Sequence, residues 1–399
     1  MIICIAGKNN IAVEIAEFVL QRNIVKKDNL YIIINKTDDG IDRWQRSLKK
    51  YSNENNLLIT SLDEIYNIEN LLFLSLEFDQ IIKPYLFKSK NLFNIHFSLL
   101  PKYKGMFTSI IPILNNETKS GVTLHKIDKG IDTGDIIVQK EFKLYLNDNS
   151  RDLYFKYIEY GIELIKNNIK KLIINDYLTK KQNYMNSTYY SKNSIDFKNI
   201  NIDLNQTAIN IHNQIRAYNF REYQIPKLFG TSIFSSKILT TSSNFKIGTV
   251  IMKDDISFTI KTIDYDIVIY KDKVNELFEA CKNNDINLVN KLLSIPNILN
   301  VQNEKGWTPL IVAVYNNNKN IVKALIKNNA DINITNFNGT TLLMYAKDAY
   351  VKYHDREIID LLISIGININ QKDYKRKNVF NYCIQNNEIE VMNIIKGKY

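Results

Sequence analysis

Residues 91–105 read "NLFNIHFSLLPKYKG". Asn94 and His96 stand two apart in an apolar, alternating segment, so on a β-strand they project from the same face. Pro101 cannot continue a central strand, so both residues sit near the strand's end. The chain has only four histidines. Placing one at a strand terminus matters because ligand sites in parallel α/β sheets form where strands end.

Working outward, the neighbouring segments predict such a sheet. "MIICIAG" (1–7), "NLYIIINK" (29–36) and "NLLFLSLEFD" (70–79) are short apolar runs with strand character. "NIAVEIAEFVLQRN" (10–23) has helical periodicity. Apolar runs alternating with amphipathic segments indicate a parallel α/β arrangement. The first strand is followed by "GKNN" (7–10) rather than Gly-x-Gly-x-x-Gly, which gives a dinucleotide site poor support. A long helical pattern from Asn149 to about Leu178 closes this region. Beyond it, "NQTAINIHNQIRAYNF" (205–220) predicts a helix, and "FKIGTVIMKDDISFTIKTIDYDIVIYK" (245–271) predicts alternating strands. The C-terminal part repeats itself. "GWTPLIVAV" (306–314) recurs as "GTTLLMYAK" (339–347), and a weaker copy is "RKNVFNYCI" (376–384). The small residues Ala280, Ala313, Ala346 and Cys383 align, with about four residues inserted around "DAYVKYHD" before the last unit. A period of 33 with Gly-x-Thr-Pro-Leu resembles ankyrin repeats.

A net charge of +10 and a pI near 9.1 raise the question of nucleic acid. The basic residues are scattered, without a Lys/Arg run interleaved with aromatics, so no nucleic-acid partner is expected. Without about 18 consecutive apolar residues, no membrane association is expected either. Cys4, Cys281 and Cys383 lie far apart in apolar patterns and read as buried free thiols, as in a cytoplasmic protein. No cluster has metal-ligand spacing.

A second stretch bears on His96. "GVTLHKIDKGIDTGDII" (121–137) puts Asp132 between Gly130 and Gly134, in a turn that the glycines permit. An aspartate beside a histidine orients the ring and favours its protonated form, which suits proton transfer near neutral pH. His125 reads as a strand residue facing a neighbouring strand.

Together, "NIHFSLLPKYKG" and "GVTLHKIDKGIDTGDII" resemble the formyltransferase family that uses N10-formyltetrahydrofolate, over roughly residues 1–180. Phe97 stands where relatives often carry a small residue or proline. The resemblance implies a parallel-sheet, Rossmann-like catalytic domain over 1–185, a small β-rich substrate domain over 186–272 and an all-α ankyrin tail over 273–399. It implies Asn94, His96 and Asp132 as the catalytic set, with folate beside Leu76, Glu77 and Phe78. Sugar N-formyltransferases combine this set with a β-rich second domain, and "IRAYNFREYQIP" (215–226) is similar to the stretch where they bind nucleotide. Arg216 is then a candidate for the diphosphate, and Tyr218 and Tyr223 for a base or ribose. The implied substrate is a dTDP-linked amino sugar for surface polysaccharide (O-antigen), dTDP-3-amino-3,6-dideoxyglucose first and the 4-amino isomer second. Glycinamide ribonucleotide formyltransferases match only the first domain. Methionyl-tRNA formyltransferases share the β-rich domain but lack an ankyrin tail, and an ankyrin scaffold with an inactive first domain is the reading from another class. A homodimer is expected. The repeats would take a protein partner, or a small ligand at Trp307, where a ring near Lys305 could stack a second nucleotide.

Overall fold

The computed structural model describes residues 1–397. The chain divides into two compact units. The first holds Met1–Ser232 with Thr262–Tyr265, and the second holds Ile233–Lys261 with the chain from Asp266 onward. Residues 186–232 therefore belong with the sheet expected over 1–185. The strands that follow belong with the repeats.

The first unit is built on a seven-stranded sheet. Its strands are β1 (Ile2–Gly7), β2 (Leu30–Ile34), β3 (Leu58–Ile59), β4 (Leu71–Leu76), β5 (Asn91–His96), β7 (Lys119–Lys126) and β8 (Ile136–Lys143), ordered β3-β2-β1-β4-β5-β7-β8. The pairings from β3 through β5 are parallel, whereas β5–β7 and β7–β8 are antiparallel. The expected parallel sheet is thus parallel-dominated, with a short hairpin pair at one edge. Alternate residues of β1 serve opposite faces. Ile3 and Ile5 pack with α1 (Asn9–Gln21) and α5 (Ser150–Ile173), while Cys4 and Ala6 pack with Phe73, Phe87 and Leu92. Both faces are covered, so the strand is an unbroken apolar run. Each fully buried Ile or Phe contributes about 1.5–3 kcal/mol relative to exposure.

Smaller elements complete this unit: α2 (Leu48–Glu54), α3 (Leu62–Ile65), α4 (Ile111–Leu114) and α6 (Ala208–Tyr218), with β6 (Lys104–Gly105) pairing β9 (Tyr189–Tyr190). The helix expected to run to about Leu178 stops at Ile173, because Asn175 takes a left-handed φ of +56°. The chain then bridges Lys180 to Ile136 and runs back past the end of β5.

In the second unit, β11 (Thr231–Ile238, from Ile233 on), β12 (Val250–Lys253), β13 (Ser257–Lys261) and β14 (Asp266–Lys271) form an antiparallel sheet ordered β11-β14-β13-β12, whereas β10 (Lys227–Leu228) belongs to the first unit together with Thr231 and Ser232 of β11, with which it pairs. Four helix pairs follow: α7 (Val274–Lys282) with α8 (Ile286–Leu292), α9 (Pro309–Tyr315) with α10 (Lys319–Lys327), α11 (Leu342–Tyr353) with α12 (Glu357–Ser364), and α13 (Val379–Gln385) with α14 (Ile389–Lys396). Thr308 caps α9 by accepting from the Ile311 N–H, and Pro309 occupies the first turn, where its missing N–H costs nothing. Gly306 before it has φ +75°, and a Cβ there would stand 2.4 Å from the Phe337 nitrogen. The four aligned small residues, Ala280, Ala313, Ala346 and Cys383, are all buried. The four-residue insertion appears as a longer α11, which ends at His354 in a left-handed conformation. Among the described residues, no helix is long and apolar enough to cross a membrane. The three cysteines are buried and unpaired with one another.

Candidate active site

His96 is the last residue of β5, and Asn94 precedes it on the same side. Antiparallel pairing sets Asn94 opposite His125 on β7, which brings their side chains together as a cross-strand pair. Asp132 lies in the loop between β7 and β8 with φ +54°, a conformation that aspartate tolerates better than most residues. Gln182 fixes the loop by donating from Nε2 to the carbonyls of Asp132 and Gly134, 2.8 Å each.

The distances define how the group works. His96 Nδ1 lies 3.3 Å from Asp132 Oδ2, and His96 Nε2 lies 2.7 Å from the Tyr103 carbonyl oxygen. A carbonyl only accepts, so Nε2 carries a proton and Nδ1 is the basic nitrogen of the neutral ring. The Gly105 N–H donates to Asp132 Oδ2 at 2.9 Å. His96 is 6% exposed. Burial pulls its pKa below the ordinary value, opposed by the Asp132 charge and the Tyr103 carbonyl. Burial alone would raise the Asp132 carboxyl, but His96, His125 and the Gly105 N–H outweigh it and hold it at about 2. A proton arriving on Nδ1 thus meets a permanently ionised carboxylate.

His125 is a site residue that the sequence reading left on a strand. Its Nδ1 lies 2.7 Å from the Lys126 carbonyl, so it is the protonated nitrogen and Nε2 is an acceptor. Asn94 Nδ2 donates to that Nε2 at 3.1 Å and makes a longer contact, 3.4 Å, with Asp132 Oδ1. His125 therefore orients the Asn94 amide. One Asn94 N–H is held firmly and the other only loosely, which leaves it able to turn toward a developing negative charge. Register would have revealed this: pairing "FNIHF" against "VTLHKI" antiparallel puts Asn94 across from His125.

The other expected residues disperse. Leu76 is wholly buried in the core, and its carbonyl accepts from the Lys8 N–H. Phe78 packs against the core on the opposite face of the sheet. Glu77, with φ +56°, accepts hydrogen bonds from Asn9 and Tyr154. Arg216 makes hydrogen bonds within the protein. It is 6% exposed inside α6, and its guanidinium donates to Asn213 Oδ1 and to the carbonyls of Tyr145 and Asp148. Burial lowers its pKa to about 10. It ties α6 to the loop before α5. Tyr218 is half-buried against the first unit's core. Tyr223 is 65% exposed, with its ring 5.7 Å from Trp44 and 4.8 Å from Phe220. In the repeats, Trp307 lies 5.0 Å from both Tyr315 and Tyr345, and the Lys305 ammonium sits 5.7 Å from its ring. Among the described residues, no group of three or more His, Cys, Asp or Glu is arranged to hold a metal.

Comparison with known proteins matches residues 23–168 to the formyl transferase domain, 195–276 to the formyl transferase C-terminal domain and 277–373 to ankyrin repeats. The chain is 50% identical to the sugar 3N-formyl transferase WlaRD, crystallised with dTDP and 5-N-formyl-THF; the match covers 68% of this chain and 97% of that one, with a TM-score of 0.64. It is 48% identical to an N-formyltransferase from Helicobacter canadensis in complex with folinic acid and dTDP-3-aminofucose, covering 68% of this chain and all (100%) of that one, also at 0.64. Identity to the methionyl-tRNA formyltransferase of Fervidobacterium nodosum is 29% over 286 residues, covering 66% of this chain and 88% of the relative. The chain belongs to the formyl transferase family, with ankyrin repeats following its two formyl transferase domains.

Proposed function

We propose that this enzyme transfers the formyl group of N10-formyltetrahydrofolate to the amino group of a nucleotide-linked amino sugar, specifically dTDP-3-amino-3,6-dideoxyglucose. The observation that carries the reading is the Asn94–His96–Asp132 group, intact in a chain 50% identical to a sugar 3N-formyl transferase across 97% of that protein. The second relative was crystallised with a dTDP-linked 3-amino sugar, which favours the 3-position over the 4-position. The lower identity to a methionyl-tRNA enzyme gives a tRNA substrate less support.

In this reading, each residue has a task that its geometry supports. His96 Nδ1 takes the proton that the amine loses as it attacks the formyl carbon and would return it to N10 of tetrahydrofolate as the formyl C–N10 bond breaks, and Asp132 stabilises the imidazolium in between. The loosely held N–H of Asn94 stabilises the charge that develops on a carbonyl oxygen as an amine adds to it. The donor folate would lie beside the end of β4, along the backbone of Leu76–Phe78, and Tyr218 and Tyr223 would border the nucleotide. The product fits surface-polysaccharide synthesis. Incubation with N10-formyltetrahydrofolate and a panel of dTDP-linked amino sugars tests the reading. A mass gain of one formyl group on the 3-amino substrate supports it, and turnover only with an aminoacyl-tRNA, or with nothing, overturns it.

The repeats carry the remaining candidate, Trp307 with Lys305 beside its ring. A dTDP titration that counts two sites per full-length chain, and one in Trp307→Ala, assigns a nucleotide to the tail. One site in both leaves the repeats to a protein partner.

A further inference from the structure

The sheet order reverses between β1 and β4. Chain segments leaving two such strands diverge and open a crevice at their carboxyl ends, where ligands bind. Glu77 follows β4 directly, and Asn9 stands two residues after β1. Their side chains meet across the reversal, with Asn9 Nδ2 donating to Glu77 Oε2 at 3.1 Å. The Tyr154 hydroxyl lies 2.8 and 2.9 Å from the two carboxylate oxygens. Both partners are neutral. The Lys8 charge acts on the Glu77 carboxyl without an ion pair to it among the described residues, whereas the half-buried Glu222 and Asp148 pair directly with Arg151 at 2.7 Å and Lys156 at 2.5 Å.

A further observation points to what would complete the site. An aromatic group also stands over this end of the sheet. Trp44 lies 5.7 Å from Tyr154 and 5.7 Å from Tyr223, whose exposure opens the cluster to solvent. A carboxyl held by neutral hydrogen-bond donors, with an aromatic cluster next to it, has the chemistry of an ammonium site.

We propose that Glu77 is the acceptor-binding carboxylate: it draws the substrate's amino group, which arrives as an ammonium, to the β1–β4 crevice, with Trp44 and Tyr223 as the rim. This rests on the amino-sugar reading above, and it assigns the Glu77 side chain to the acceptor instead of to folate. Burial raises the Glu77 carboxyl above its ordinary value, opposed by Tyr154, Asn9 and the Lys8 charge, and an arriving ammonium would favour its ionised form. Glutamine would bridge Asn9 and Tyr154 equally well without burying an ion, and ions are buried at a cost unless paired. The site would explain how an acceptor amine is told from the hydroxyl of the corresponding ordinary sugar.

The test uses the full chain and three ligands: dTDP, dTDP-3-amino-3,6-dideoxyglucose, and the dTDP-linked 6-deoxyglucose with a hydroxyl in place of the amine. Calorimetry on wild type should show the amino sugar bound about 10-fold or more tightly than the hydroxy analogue, as expected for a charge-assisted hydrogen bond. Glu77→Gln should abolish that preference while binding dTDP and folate as before, and should melt at a higher temperature in the absence of ligand. Tyr154→Phe, which keeps the charge, should keep the preference. A Glu77→Gln protein that still prefers the amino sugar overturns the proposal, as does one that loses dTDP, folate and amino sugar alike. Should Glu77→Gln fail to fold, Glu77→Asp decides: a preference reduced several-fold supports the proposal and an unchanged one refutes it. The amino-sugar reading fails separately, if wild type formylates no amino sugar.

Discussion

Asp132 raises the basicity of His96, and burial lowers it. The sign of one experiment follows from that opposition. Proton acceptance needs the neutral ring, so kcat falls as pH drops through the folded pKa of His96, which lies below its ordinary value. Asp132→Asn removes the stabilising charge. It should move the acid limb of the kcat profile to lower pH and reduce kcat by roughly 100-fold. A limb that moves to higher pH would contradict the assignment. His125 holds the Asn94 amide and also stands 3.6 Å from Asp132 Oδ1, so His125→Ala should lower kcat about 10-fold or more, the worth of one hydrogen bond at least, with KM for both substrates little changed. Partial recovery in His125→Gln, whose amide oxygen can accept the Asn94 N–H, separates orientation from mere packing. These residues differ in how legible they were. Asn94, His96 and Asp132 stand in two motifs whose resemblance named them before any contact was known. His125 stands in the same motif, but its role depends on strand pairing that the local pattern does not state. Arg216 is less legible, since an arginine in a helix has no sequence mark distinguishing a ligand partner from a brace between backbone carbonyls.

Elements were easier to read than their pairings. The strands of the parallel core and the helices flanking them follow from period and apolar run length. The antiparallel turn of β7 and β8 does not, since both edges of a sheet accept strands of the same composition. β11, "TSIFSSKI", was missed because three serines and a threonine interrupt its alternation. The hairpin that was not read also explains a glycine. Gly134 begins the return to β8, and a Cβ on it would stand 1.8 Å from the Lys126 carbonyl oxygen. Backbone must therefore move, and the loop that moves carries Asp132. Gly134→Ala should cost about 1–3 kcal/mol of stability, and it should reduce kcat more than Asp128→Ala, a change at the far side of the same loop. Thermal melts and steady-state rates on the two variants decide it. Equal rates in both would mean that the loop position does not govern the His96–Asp132 contact.

At the scale of the whole molecule, the sequence pattern points to a small β-rich domain followed by ankyrin repeats. The packing joins the antiparallel strands to the first repeat. Phe234 of β11 is buried in the same apolar cluster as Val274, Leu277 and Phe278 of the first repeat, and Ile256 and Tyr270 pack against that cluster. Repeats gain stability from contact with their neighbours, and a terminal repeat needs something to cover its inner face. Here the antiparallel sheet covers it, on the side where the array begins. Removing the residues after Asp272 would expose Phe234, Ile256 and Tyr270 together. Large apolar area turned to water costs about 25 cal/mol per Å², and exposed clusters of this kind promote association. The truncated chain should therefore melt at a lower temperature than the full chain and aggregate on concentration, even where formyl transfer survives at low protein concentration. Phe234→Ala in the full chain should reproduce part of the effect, about 3–5 kcal/mol for a buried phenylalanine, without touching Asn94, His96 or Asp132. If the truncated chain instead stays monomeric with an unchanged melting temperature, the sheet folds independently of the repeats, and the tail is an appendage that can be removed without disturbing the rest.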